Sequence, residues 1–119
     1  MKFSPKYLTN EAKLDAIEIL ITLAKEAGLS LTHMAMAFVM AHPGVTSAIL
    51  GPRTIQQLDD LLASAEVALD DEILDRIDEV VAPGTDAGPM GAVYEPPAVT
   101  QADLRRRPIP HRAAAVRRA

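Results

Sequence analysis

A chain of 119 residues, 49% of them apolar but with no tryptophan and only two each of phenylalanine and tyrosine, can bury one modest aliphatic core. That balance excludes a disordered chain and an aromatic platform for single-stranded nucleic acid. The formal net charge of −4 is uneven, with six basic and thirteen acidic side chains in residues 1–84 and six arginines against three acids beyond, so the acidic body predicts no nucleic-acid partner.

Absence of cysteine removes disulfides and thiolate chemistry, and no apolar run approaches the roughly 20 residues of a membrane span. With no leader-like N-terminus, the chain is expected in the cytoplasm and away from membranes.

Residues 10–27 place Leu14, Ile17, Ile21 and Ala24 on one helical face with Leu20 beside them. Asn10 is the expected cap and Gly28 the stop. Ser30 then caps a very apolar helix, LTHMAMAFVMA, which Pro43 forces to end at His42. Met34, Met36 and Met40 read as core filler in it, and His33 and His42 as packing or surface histidines, because their spacing and neighbours make no metal site. The Gly28 turn between these helices resembles a helix-turn-helix, but Met, Ala, Phe and Val stand where base-reading side chains should project.

Val45 to Leu50 is a short, nearly continuous apolar run, as in a strand buried on both faces. Gly51-Pro52-Arg53 follows, and Thr54 opens a third helix over 54–65 in a Thr-x-x-Gln capping box with Gln57. Leu58, Leu61, Leu62 and Ala65 form its apolar face. Asp70 or Asp71 caps a fourth helix, DEILDRIDEVV, with Ile73, Ile77, Val80 and Val81 inward. The acids Asp70, Asp71, Glu72, Asp75, Asp78 and Glu79 lack a calcium loop and read as a solvated face. From 85 to 119 the chain turns proline-rich and arginine-rich and reads as an extended or disordered solubilising tail, leaving residues 1–84 as the folded body.

Two features need an explanation. A buried strand at 45–50 has no partner strand in this sequence, so the chain either self-associates or is part of a larger α/β protein. The joint at 51–57 aims the start of a capped helix, a glycine and an arginine at one place. It reads either as an anion site or as a plain turn with a solvated Arg53.

Three stretches in order, AGLSLTHMAMAFVMAHPGV, TSAILGPRT and LDDEILDRIDEV, closely resemble the C-terminal third of the aldo-keto reductases, particularly bacterial members with a Gly-Pro-Arg-Thr loop. The resemblance covers roughly residues 10–84. It implies an α/β fold class, the C-terminal fragment of a (β/α)8 TIM barrel, mostly helical with one clear strand: 45–50 as the eighth strand and 54–65 as the eighth helix. The joint would then lie at the barrel's C-terminal face.

In the family this loop holds the adenosine end of NADP(H). By position the resemblance gives Gly51 a backbone contact, Arg53 the 2′-phosphate, and Gln57 and Asp60 the adenosine moiety. Leu61 departs from the asparagine that often meets the adenine. The family's catalytic tyrosine, aspartate, lysine and histidine come from earlier strands, and Tyr7, Tyr94, His33 and His42 match none of their motifs. A whole barrel needs about 250 residues.

The resemblance therefore implies a fragment of an NADP(H)-dependent oxidoreductase that carries part of the cofactor site, no catalytic residue and no metal, and is inactive by itself. The other expectation is a small non-enzymatic helical module that self-associates through exposed apolar faces.

Overall fold

The computed structural model describes residues 10–85 and 96–115. Four helices carry the body: α1 (Asn10–Glu26), α2 (Leu31–Ala41), α3 (Ile55–Ala63) and α4 (Asp71–Val80), with a 3-10 turn at Ser64–Glu66 after α3. Two short helices, α5 (Pro97–Thr100) and α6 (Ala102–Arg105), and a 3-10 turn at Ile109–His111 follow. Tyr7 and Tyr94 lie outside the described residues, as does the Asn10 side chain. No described helix is long and apolar enough to cross a membrane.

The ends of the helices follow from local chemistry. Gly28 takes the left-handed conformation at φ +72°, and the Leu29 N–H reaches the Ala24 carbonyl while the Gly28 N–H reaches that of Lys25. This paired closure consumes carbonyls that α1 would otherwise leave open, and it swings Leu29 back onto the core beside Leu23 and Ala24. Ser30 Oγ accepts from the His33 N–H at 3.1 Å, starting α2 as expected. Of the two candidate caps for α4, Asp70 is the one used, its Oδ1 accepting from the Ile73 N–H at 2.9 Å.

The core gathers Leu23, Ala24, Met34, Ala37, Leu69 and Leu74, with Leu20, Ile73 and Ile77 packed against it. The inner face of α4 therefore centres on Leu74, one step from the face expected from its periodicity. α1 buries only its C-terminal half, since Leu14 is 61% exposed and Ile17 is exposed too. No residue of α3 is buried.

The expected strand at 45–50 is not formed; among the described residues there is no strand at all, and Ile49 is 99% exposed. The physical reason is the missing ladder. An extended segment gains little unless its N–H and C=O groups pair with flanking strands, and none lies beside it here. Observed architecture is accordingly helical rather than mixed.

Residues 96–115 also differ from an extended or disordered solubilising tail. Arg105 pairs with Asp78, Arg106 with Asp71, Asp75 and Asp78, and Arg112 with Asp71. The acids read as a solvated face of α4 thus hold the arm down. Burial opposes the Arg106 charge, yet hydrogen bonds to Asp75 and Asp78 outweigh it and keep the guanidinium above its ordinary range. The Nε–H groups of Arg105 and Arg106 find no acceptor, a desolvation cost that their Nη contacts must exceed. Arg112 is 3% exposed and donates to the Leu69 carbonyl at 2.9 Å.

Candidate functional site

α3 begins where the 45–52 segment ends, and the first residues of that junction are open to solvent. Thr54 sits in extended backbone and its Oγ1 accepts from the Gln57 N–H at 3.2 Å. The reciprocal half of the expected capping box is displaced by one residue: Gln57 Oε1 accepts from the Arg53 N–H at 2.8 Å instead of from Thr54. Gln57 therefore fixes the backbone on which the Arg53 side chain is mounted. The first N–H groups of a helix have no intrahelical acceptor and carry the positive end of its dipole, so this corner favours an anion.

Arg53 is exposed, and among the described residues its guanidinium makes no hydrogen bond or ion pair. This isolates it chemically. Arg76 is bound to Glu26, and Arg105, Arg106, Arg107 and Arg112 all grip carboxylates or carbonyls. Gly51 is exposed too, with no positive φ, and a Cβ built there would meet nothing within 4 Å. No contact or strain inside the described chain requires a glycine at this place; the open space in front of its backbone is available to a ligand.

Asp60 lies on the next turn of α3 and is already engaged. The His33 Nε2–H donates to its Oδ1 at 2.9 Å and to its carbonyl at 3.0 Å, tying the first turn of α2 to α3. Gly51, Arg53, Gln57 and Asp60 thus all fall on one stretch of loop and helix, two of them free and two partly occupied. His33 was a residue with no assigned partner in the sequence, since nothing local links positions 27 residues apart.

His42 does something different. Its Nδ1 accepts from the Gly44 N–H at 2.9 Å, so Nε2 carries the proton and donates to the Ala98 carbonyl at 2.8 Å. It anchors α5 to the end of α2 and is not near Arg53 in function. Among the described residues no group of three or more His, Cys, Asp or Glu could hold a metal ion.

A cleft of about 650 Å³ opens between α1, α2 and α4, lined by Leu20, Phe38, Val39, Leu74, Ile77 and Val99 among others. It is apolar, and its carboxylate, Asp78, is consumed by Arg105 and Arg106. The corner at 51–57 presents an unpaired guanidinium and open backbone, whereas the cleft is mainly apolar and its charged residues Asp78, Arg105 and Arg106 are paired with one another.

The model of the aldo/keto reductase family matches residues 2–82. Over 58 residues the chain is 41% identical to an uncharacterized oxidoreductase, YrpG, of Bacillus subtilis (strain 168), covering 49% of this chain and 18% of that protein. It is 32% identical over 72 residues to protein tas of Escherichia coli (strain K12), covering 60% of this chain and 21% of the relative. With the L-glyceraldehyde 3-phosphate reductase of Escherichia coli O157:H7 the identity is 32% over 82 residues, 68% of this chain and 23% of that enzyme. The chain spans about a fifth of the length of these curated relatives.

Proposed function

Because the chain belongs to the aldo/keto reductase family, we propose that it supplies the adenosine-binding corner of an NADP(H)-dependent carbonyl reductase, with Arg53 on the 2′-phosphate. The observation that carries this reading is the unpaired guanidinium of Arg53 beside the open backbone of Gly51 at the start of a capped helix. An arginine fork is permanently charged and matches phosphate oxygens in a bidentate way, which favours the phosphorylated cofactor over NAD(H).

The residues present fit that end of the cofactor. Gly51 lets it approach the backbone, Gln57 holds the Arg53 backbone and keeps its amide N–H groups for the adenosine, and Asp60 keeps Oδ2 while His33 holds Oδ1. When bound, the nicotinamide ring of such a cofactor supplies a hydride to a carbonyl carbon. The chain's own part is to bind and orient the far end of the molecule. Proton donation belongs to residues of the wider barrel, in which 45–50 would gain sheet neighbours and run as the eighth strand, followed by the eighth helix at 54–65.

Calorimetric titration of the 1–119 chain with NADP⁺ and NAD⁺ tests this. NADP⁺ should bind more tightly, and Arg53→Ala should weaken it by roughly tenfold to a hundredfold, the effect of losing a charged hydrogen-bonded contact, while NAD⁺ is unchanged. Equal affinities with no dependence on Arg53 would overturn the assignment.

A further inference from the structure

Beyond its role in the arm, Arg107 stands at a junction that bears on the 51–57 corner. Its guanidinium donates to three carbonyls at the end of α2: Nε to Met40 at 3.2 Å, and Nη2 to Pro43 at 3.1 Å and Val45 at 2.6 Å. Its backbone N–H donates to Ala41 at 2.7 Å. The last carbonyls of a helix lack intrahelical donors and sit at the negative end of the dipole, so one planar cation closes α2 and pins the turn that starts the 45–52 segment.

Arg107 is itself held. Arg112 Nε donates to the Arg107 carbonyl at 2.7 Å, and the rest of Arg112 grips Leu69 and Asp71 at the entrance of α4. At the other side His42 binds the Ala98 carbonyl. One continuous set of contacts therefore runs from α4 through the arm to Val45, six residues before Gly51.

We propose that residues 96–112 form a basic clasp, and that Arg107 is a positioning residue which sets the path of the 45–53 segment and hence the place of Arg53. The opposite end of that segment is fixed by Gln57 on the Arg53 N–H. With both ends tied, the segment needs no strand partner to present its arginine. When the clasp opens, the Val45 tie is lost and Arg53 is presented by a looser chain. For its effect on cofactor the proposal rests on the reading of the 51–57 corner, whereas its structural part does not.

The test is amide hydrogen exchange on the full 1–119 chain. Arg107→Ala should speed exchange of the hydrogen-bonded Val45 and Arg53 amides at least tenfold, with the α1 amides near Leu23 unchanged. Arg107→Lys, whose single nitrogen cannot span three carbonyls in fork geometry, should restore less than half of the protection.

Salt titration of the unmodified chain gives an arm that no folding defect can confuse. As salt screens the partly exposed ion pairs to Asp71 and Asp75, protection of 97–106 and of the Val45 and Arg53 amides should fall together. Free exchange in 97–106 with the Val45 and Arg53 amides unmoved, or full rescue by lysine, would overturn the clasp. NADP⁺ affinity measured on the same variants separates the two readings: no binding by the unmodified chain contradicts the cofactor site alone, and exchange still decides the clasp.

Discussion

Asp71 receives two arginines, and the hydrogen bond from Arg112, outweighing desolvation, holds its carboxyl below the usual carboxylate range. A lowered folded value means that this stabilisation is complete above the ordinary carboxylate pKa of about 3.9 and is lost as pH falls through the folded value. The arm should therefore stay bound at neutral and mildly acid pH and loosen below about pH 4. Asp71→Asn should flatten that acid limb in thermal unfolding followed by circular dichroism; an unchanged limb would mean other carboxylates govern it. At this scale the sequence was informative where chemistry is local. Ser30, Thr54, Asp70 and Gly28 announce helix ends through neighbours three to five residues away. The His33–Asp60 and Arg107–Val45 contacts join residues 27 and 62 apart, so no spacing rule could reveal them.

At the scale of elements, the four body helices were legible from apolar periodicity, reinforced by the caps Ser30, Thr54 and Asp70 that open α2, α3 and α4. The register of α4 was less so: Leu74, 2% exposed, lies between two plausible faces, and only its packing against Leu23 and Met34 selects it. Leu74→Ala is expected to cost about 2–5 kcal/mol, while Gly28→Ala, forcing a Cβ into left-handed backbone, is expected to cost about 1 kcal/mol. Denaturant unfolding measures both, and a reversed order would contradict the core described. The 45–50 segment shows the opposite limit. Its composition speaks for a strand, but a strand is a property of a ladder, and composition cannot supply the neighbours. The arm failed for a related reason, because proline and arginine content marks an extended chain unless acids elsewhere, here Asp71, Asp75 and Asp78, are arranged to receive it.

For the molecule as a whole, Phe38 and Val39 remain exposed at an apolar cleft and Leu14 and Ile17 along the first half of α1, surface that ordinarily meets another protein face. The account expects concentration-dependent self-association of 1–119 in sedimentation, reduced by Phe38→Ser; a strictly monomeric chain at the highest soluble concentration would refute it. That surface and the Arg53 corner are separate, and the functional claim rests on the corner. Backbone amide shifts on adding adenosine 2′-monophosphate, with adenosine 5′-monophosphate as control, test it most directly. Perturbations are expected to be confined to Gly51, Arg53 through Gln57 and Asp60, stronger for the 2′-phosphate and abolished by Arg53→Ala. Equal responses to both nucleotides, or shifts centred on Phe38 and Ile77 in the cleft, would contradict it.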